Sequence, residues 1–294
     1  MDALINERAG GRSHVERKKL RENLPRLLVQ AGLDVRIHWA TPREIPAMVE
    51  RLARSGAPQL IVGGGDGTLS AAAHSLVGSD ITLGVLPLGT LNHFAKDLAL
   101  PTTLDDAVAV LKLGHEVAVD VGEVNGRIFI NNASLGAYVR ATRHRNIYQS
   151  RLGMGKWPTM ALAILRVFLR LPVLTLHLED GENADVIRTT FVFLGNNAYL
   201  REGLSGVERR SLIQGKLGLV TSRQLGRLGV FKIGFQILLG SFKDSRILEQ
   251  RLTEKVRIDS SKRRIRVALD GELAKIATPL EFRIRPRALK VLAP

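Results

Sequence analysis

The chain has 294 residues, 45% of them hydrophobic, which is enough for one large domain or two domains with sizeable cores. It contains no cysteine, which excludes disulfides, thiol nucleophiles and thiolate metal sites and suits a reducing cytosol. The net charge of +15 favours an anionic partner, but only 5% of residues are aromatic and no nucleic-acid motif is present. We therefore expect no nucleic acid as partner and favour an anionic membrane surface.

No apolar run reaches the roughly 20 residues that a membrane span requires. The first residues lack the basic and apolar segments of a signal peptide. These patterns predict a cytoplasmic protein that associates with membranes peripherally, and they leave open whether it forms a homodimer.

Strands and helices alternate over the first 115 residues. Strands are predicted at 3–5, 34–40, 60–62 and 81–86, and helices at 15–31, 42–55, 69–76 and 103–113. Pro42 is expected at the first position of its helix. Alternation of this kind is typical of a doubly wound α/β domain with a parallel sheet, which we place at residues 1–115.

The pattern changes near residue 114. Asn125-Gly126 between two apolar stretches predicts a hairpin. Further strands are predicted at 173–179, 186–194, 216–221, 255–258, 264–269 and 280–284, and apolar helices at 157–171 and 225–242. We therefore expect a mostly antiparallel β domain over residues 116–294, with its last few residues as candidates to pack back on the first domain. The cleft between the domains is the expected active site.

The strand at 60–62 leads directly into a glycine-rich loop and a helix. The loop reads Gly63-Gly64-Gly65-Asp66-Gly67-Thr68. Such a loop can bind phosphate, because successive N–H groups point at the anion and the helix N-terminus adds positive charge. Asp66 would repel a phosphate unless a cation lay between them, so it predicts Mg²⁺ or a proton acceptor for a substrate hydroxyl. The alternative is a tight turn in which Asp66 and Thr68 only cap the helix.

A second loop follows the strand at 81–86. It reads Pro87-Leu88-Gly89-Thr90-Leu91-Asn92-His93-Phe94-Ala95 and again passes through glycine into a helix. The two loops can lie side by side at the carboxyl edge of the parallel sheet, where such folds bind ligands.

Taken together, the motifs resemble those of the diacylglycerol kinase catalytic-domain family, which includes soluble bacterial lipid kinases and sphingosine-kinase-like enzymes. The resemblance rests on the two loops, on Asp120-Val121-Gly122 and on Asp270-Gly271-Glu272. These motifs occur in the expected order over nearly the whole chain. The first loop is shared with NAD kinases, whereas its combination with a late Asp-Gly-Glu is more specific to lipid kinases.

The resemblance implies ATP- and Mg²⁺-dependent transfer of a phosphoryl group to a lipid hydroxyl, such as that of diacylglycerol. It implies that Asp66 works on the metal-nucleotide and that Glu272 is the general base. Asp120 is expected to support one of them, unless it is a buried, hydrogen-bonded strand carboxylate. The residues expected at the nucleotide are Asn6, Thr41, Gly63, Gly64, Gly65, Asp66, Gly67, Thr68, Ser70, Thr90 and Asn92.

The chain departs from the family pattern at three places. Ser70 stands where the family usually has Asn, and His93 stands where it usually has Asp. Gln214-Gly215-Lys216-Leu217 replaces an Asp-Gly-x-Leu segment that often binds a structural metal. We therefore expect this second metal site to be lost or weakened.

Three other functions stay open. An NAD-kinase-like enzyme would act on a soluble substrate, and an inactive nucleotide- or lipid-binding module would bind ATP without turnover. Nucleic-acid binding by charge alone would not depend on Asp66. The basic stretches at 140–151 and 262–264 could face an anionic membrane, and Asp270-Gly271 could serve only as a hairpin turn.

Overall fold

The structure is a computed structural model that describes residues 1–11, 13–137, 139–140, 142, 173–180, 183–200, 208–209, 211–222 and 248–294. The helices are a 3₁₀ helix (Ala9–Gly11), α1 (His14–Gln30), α2 (Ile45–Ala53), α3 (Asp66–Leu76), α4 (His93–Asp97) and α5 (Leu104–Leu113). The strands of the first half are β1 (Asp2–Asn6), β2 (Arg36–Ala40), β3 (Gln59–Gly64), β4 (Thr82–Pro87), β5 (His115–Val124), β6 (Arg127–Phe129) and β7 (Asn132–Gly136). Those that follow are β8 (Leu174–Asp180), β9 (Asn183–Thr189), β10 (Phe191–Asn196), β11 (Tyr199–Leu200), β12 (Glu208–Arg209), β13 (Leu217–Ser222), β14 (Leu248–Thr253), β15 (Lys255–Asp259), β16 (Arg264–Leu269), β17 (Glu272–Ala277) and β18 (Leu280–Ala293).

Four parallel strands in the order β2-β1-β3-β4 form the N-terminal part of the first sheet. Alternate residues of each strand point to opposite faces, so Ile5 packs with α1 and α5 while Leu4 packs with α2 and α3. Because helices cover both faces, the strands can be apolar throughout. The predicted doubly wound α/β domain is confirmed.

Local sequence explains where several of these helices begin. Ser13 and Glu16 form a capping box at the start of α1, and the Thr103 side chain caps α5. The prediction that Pro42 begins the second helix was wrong, because α2 begins at Ile45. Residues 42–44 form a turn closed by the bond from the N–H of Glu44 to the carbonyl of Thr41 at 3.0 Å, and the regular helix begins after it.

The C-terminal strand extends the first sheet well beyond the N-terminal domain. β18 runs for 14 residues, far longer than the predicted 280–284, and pairs with β5 along its length. Near its end, Val291 lies opposite Leu83 of β4 in a parallel pairing. β15, β8 and β9 continue the same sheet in antiparallel fashion, and β6 pairs with β5, so the sheet has ten strands.

A second sheet of six strands has the order β14-β13-β10-β7-β16-β17. Its apolar inner face packs against β8, β15 and β18 of the first sheet, with Phe129 and Phe282 buried at the centre. The predicted antiparallel β domain is therefore confirmed. The division of the chain at residue 115 stays a prediction.

Two details of the second half differ from the sequence analysis. The single strand predicted at 186–194 is two strands, because the chain leaves the first sheet at Thr190 and enters the second with β10. β14 and β17 were not predicted. The predicted helices at 157–171 and 225–242, and most of the basic stretch at 140–151, lie outside the described residues. Of the helices that are described, none has both the length and the apolarity needed to cross a bilayer.

Candidate active site

The first glycine loop joins β3 to α3 at the carboxyl edge of the parallel sheet. Gly65 is the N-cap of α3, and its carbonyl accepts from the N–H of Thr68 at 2.9 Å. No side chain caps this end of the helix. The first N–H groups of α3 are therefore available to an anion, as the phosphate-binding prediction requires.

Close packing explains why the loop consists of glycines. A Cβ added at Gly64 would overlap the side chain of Thr68, and one added at Gly65 would lie 3.1 Å from the Cα of Gly89. Gly63 lies within β3, opposite Ile5 of β1. The two loops thus touch backbone to backbone at Gly65 and Gly89, where a side chain at Gly65 would push them apart, and a side chain at Gly64 would displace Thr68.

Asn92 holds the second loop in shape. It adopts a left-handed conformation with φ of 50°. Its Oδ1 accepts from the N–H of Gly89 at 2.9 Å, and its Nδ2 donates to the carbonyls of Pro87 and Gly89 at 3.2 Å. Thr90 is exposed at the tip of this loop. The structure therefore gives Asn92 a loop-shaping role and leaves Thr90 accessible to a ligand.

Asp66 lies between the two loops. Its Oδ1 accepts from the N–H of Phe94 at 3.1 Å, which ties the start of α3 to the second loop. The described residues contain no group of three His, Cys, Asp or Glu side chains able to hold a metal together. Mg²⁺ is commonly held by one or two carboxylates together with phosphates and water, so a single half-exposed carboxylate beside a phosphate loop fits this ion.

Asn6 supports the glycine loop from the neighbouring strand. Its buried Nδ2 donates to Thr68 Oγ1 at 2.8 Å, and its Oδ1 accepts from the N–H of Arg8 at 2.9 Å. Thr41 follows the next strand, and both its N–H and its hydroxyl donate to Glu44 Oε2 at 2.8 Å. These bonds hold the pair at the sheet edge, and their contact with a nucleotide stays a prediction.

Glu272 reaches the glycine loop from the other end of the chain. It is the first residue of β17 and is exposed. A Cβ built on Gly67 would lie 3.4 Å from Glu272 Oε1. A carboxylate from the C-terminal half therefore lies directly over the first turn of α3, next to Asp66.

Two family profiles match nearly the whole chain. The diacylglycerol kinase catalytic domain matches residues 2–124, and the YegS C-terminal NAD kinase beta sandwich-like domain matches residues 131–293, more than half of the chain. The chain belongs to the diacylglycerol-kinase-like lipid kinase family. The resemblance to this family, which was drawn from the two loops and the late Asp-Gly-Glu motif, is confirmed.

Relatives in this family carry the name "Probable lipid kinase YegS". The protein of that name from Escherichia coli strain 536 is 38% identical over 136 residues, which is 42% of this chain and 45% of that protein. The Shigella boydii protein is 37% identical over the same shares. The alignment thus spans less than half the length of these curated relatives.

Solved structures of low sequence identity share the fold over the full chain. A Bacillus anthracis protein described provisionally as a diacylglycerol kinase has a TM-score of 0.77 at 21% identity, covering 100% of this chain and 97% of that one. A second structure from the same organism, described as a diacylglycerol kinase, has a TM-score of 0.71 at 18% identity, covering 100% and 96%. At such identities the likeness shows the fold alone.

Asp120 is a buried residue of β5. Its side chain is 1% exposed; Oδ1 accepts from the N–H of Arg287 at 2.8 Å and Oδ2 from the N–H of Gly215 at 2.7 Å. Its own N–H donates to the carbonyl of Leu212. These contacts favour the alternative of a structural carboxylate, and a part in the reaction stays a prediction.

The segment that departs from the family's metal motif makes hydrogen bonds of its own. Gln214 Oε1 accepts from the N–H of Ala198 at 3.2 Å. Lys216 pairs with Glu254 at 2.8 Å, and this hydrogen bond together with the lysine's charge lowers the pKa of the Glu254 carboxyl. A neutral amide and a cation thus occupy this segment, which supports the expectation of a lost or weakened metal site.

Asp270 was expected as a member of the Asp-Gly-Glu motif and as a turn residue, and its hydrogen bonds to distant segments were not predicted. The hydroxyl of Ser70 donates to Asp270 Oδ2 at 2.6 Å instead of pointing into the glycine loop. Burial raises the pKa of the Asp270 carboxyl, against four hydrogen bonds that lower it. Its place beside Glu272 in the Asp-Gly-Glu motif was the available signal.

Proposed function

We propose that this protein is a lipid kinase that transfers the γ-phosphoryl group of ATP to a lipid hydroxyl, with Mg²⁺ as its metal. The observation that carries the proposal is the proximity of Glu272 to the N-terminal turn of α3, where a Cβ built on Gly67 would lie 3.4 Å from Glu272 Oε1. Phosphoryl transfer depends mainly on positioning and charge neutralisation, and it needs a base within reach of the attacking hydroxyl. In this proposal the glycine loop positions the nucleotide and Glu272 supplies the base.

The N-terminal domain binds and orients the nucleotide. The uncapped N–H groups at the start of α3 donate hydrogen bonds to the phosphates, with the second loop closing their other side. Asp66 would hold the metal through its carboxylate, whose Oδ1 also accepts from the N–H of Phe94. When bound, Mg²⁺ neutralises charge on the transferring phosphate.

Glu272 prepares the acceptor. Its carboxylate takes the proton of the lipid hydroxyl as that oxygen bonds to the γ-phosphorus and the bond to the β-phosphate oxygen breaks. The products are a lipid phosphate and ADP, and the proton is on Glu272.

The test is transfer of label from ATP to diacylglycerol and related lipids in mixed micelles with Mg²⁺. We expect Glu272→Gln to lower kcat by about 10² to 10⁴, the usual contribution of a general base. Glu22→Gln removes an exposed carboxylate on α1 and is the matched control. Lipid phosphorylation at the wild-type rate by Glu272→Gln would refute this assignment.

A second candidate is an NAD-kinase-like activity, because the profile matching residues 131–293 is described as NAD kinase beta sandwich-like. The same assay in detergent-free buffer with NAD in place of lipid separates the two. Transfer to NAD but not to lipid would favour the second candidate. Binding of ATP without transfer to either acceptor would indicate an inactive module.

We further propose that the protein is cytoplasmic and docks on anionic membranes through the outer face of the β16–β17 hairpin. Arg266 lies directly opposite Lys275, with Arg264 two residues along on the same exposed face. None of the three forms an ion pair with a described carboxylate. Each basic residue near an anionic bilayer contributes about 1 kcal/mol, so the three together favour binding by about 3 kcal/mol.

Vesicle sedimentation tests this docking face. We expect binding to need anionic lipid, to weaken with salt and to fall when Arg264, Arg266 and Lys275 are changed to Gln. The control changes the exposed α1 residues Lys18, Lys19 and Arg26 to Gln and removes the same charge. Equal loss in both triple variants would show that net charge, and not this face, drives binding.

A further inference from the structure

Asp270 joins three segments that are far apart in the sequence. Its Oδ1 accepts from the N–H groups of Asn131 and Asn132 at 2.8 and 3.0 Å. Its Oδ2 accepts from the N–H of Ile130 at 2.9 Å and from the hydroxyl of Ser70 at 2.6 Å. Both carboxylate oxygens are therefore fully used inside the protein, and Asp270 is not free to act on a substrate.

Each of the three segments has a separate place in the fold. Ser70 lies on α3, the helix that follows the glycine loop. Residues 130–132 connect β6 of the first sheet to β7 of the second. Asp270 begins the two-residue turn between β16 and β17. The carboxylate thus links the nucleotide-loop helix to the hairpin of the β domain.

The turn fixes which way Glu272 points. Asp270 and Gly271 have φ of 48° and 87°, as a type I′ turn requires, and Leu269 lies opposite Glu272. A slip of one residue would move Glu272 to the other face of the hairpin. Hydrogen bonds that hold Asp270 therefore also hold the register on which the direction of Glu272 depends.

Two contacts then join the same face of α3 to this hairpin. Gly67 and Ser70 are three residues apart, so they are neighbours on the helix surface. Ser70 bonds to Asp270, and the Glu272 carboxylate lies over Gly67. The hydrogen bond between Ser70 and Asp270 thus lies one helical turn from Gly67 and one turn residue from Glu272.

We propose that Asp270 and Ser70 are positioning residues, which hold the hairpin against α3 so that the Glu272 carboxylate stays over the glycine loop. The inference rests on the proposed function, because it takes Glu272 as the base. Four donors surround the Asp270 carboxylate, and the loss of a partner by such a group costs free energy. This cost opposes movement of the hairpin away from α3. The Ser70 hydroxyl acts through Asp270 and not on the nucleotide.

Steady-state kinetics of Ser70→Ala test the proposal. We expect kcat to fall about ten- to a hundredfold, because displacement of a reacting group by about 1 Å has effects of this size. The KM for ATP should change less than about twofold, and Ser70→Thr, which keeps the hydroxyl, should restore most of kcat. Ser75→Ala removes another hydroxyl from α3 and is the control.

Two outcomes would overturn the proposal. A raised KM for ATP with unchanged kcat would mean that Ser70 contacts the nucleotide, and wild-type kinetics would mean that the joint does not position the base. In the Glu272→Gln background, Ser70→Ala should cause no further loss of kcat. If Glu272→Gln is itself fully active, the proposed function fails first.

A measurement without catalysis separates the two failures. The chain has no cysteine, so thiols at positions 67 and 272 can be introduced by Gly67→Cys and Glu272→Cys and joined with a short bifunctional maleimide. We expect the rate of cross-linking to fall several-fold when Ser70→Ala is added. An unchanged rate would overturn the positioning role whatever the activity of the enzyme.

Discussion

Replacement of Asp120 by alanine separates a structural carboxylate from a catalytic one. The change removes both acceptor oxygens of a buried carboxylate, which accept from the N–H groups of Gly215 and Arg287. Bonds to a charged group contribute about 1.5 to 3 kcal/mol each, and the abandoned N–H groups would be left without partners. We expect Asp120→Ala to lower the free energy of unfolding by about 3 to 6 kcal/mol.

Thermal unfolding followed by circular dichroism measures this loss. For a domain of 150–250 residues, 1 kcal/mol corresponds to about 2 to 4 °C, so a loss of about 3 kcal/mol lowers Tm by about 6 to 12 °C. Asp120→Asn keeps one acceptor oxygen and should therefore lower the Tm less than Asp120→Ala does. Activity per folded molecule should stay within about threefold of wild type well below the Tm.

The opposite pattern would refute this reasoning. If Asp120→Ala unfolds at the wild-type temperature but loses activity by a factor of about 10² or more, the carboxylate acts in the reaction. The two hydrogen bonds would then contribute little to stability, and the resemblance would have been the better guide.

Three further predictions concern the loops and the pH dependence. Gly64→Ala should destabilise the protein by about 1 to 3 kcal/mol in urea unfolding, because the new Cβ overlaps the Thr68 side chain, and an unchanged midpoint would contradict the packing described. Asn92→Ala should weaken ATP binding in calorimetry, because the second loop loses three hydrogen bonds; wild-type affinity would show that the loop holds its shape without them. Hydrogen bonds from the N–H and then the hydroxyl of Thr41 lower the pKa of Glu44 from its ordinary 4.5, so its stabilising effect is present above that value and is lost as pH falls through the lowered pKa. Between pH 5 and about 3, the free energy of unfolding should therefore depend less on pH in Glu44→Gln than in wild type. The same pH dependence in both proteins would contradict a stabilising role for the Glu44 carboxylate.

Local sequence patterns were sufficient to predict most of the helices and strands of the N-terminal domain. Apolar runs, glycine positions and capping residues act over a few neighbours, so the order of β3, the glycine loop and α3 could be predicted, although β3 extends to Gly64 and α3 begins at Asp66, three residues before the predicted start. The start of α2 was predicted three residues too early, because Thr41-Pro42 is an ordinary helix start and the turn at 42–44 precedes the regular helix. The β domain was less predictable, because its strands are defined by partners distant in the sequence.

The amino-acid sequence by itself determined the order strand, glycine loop and helix around Asp66 and the family to which the motifs belong. Only the tertiary structure decided that Glu272 lies over Gly67 and that Ser70 bonds to Asp270, 200 residues away. It also decided that Asp120 is enclosed by backbone N–H groups. These contacts arise from strand pairing and sheet packing between distant segments, which hydrophobic periodicity and turn chemistry do not encode.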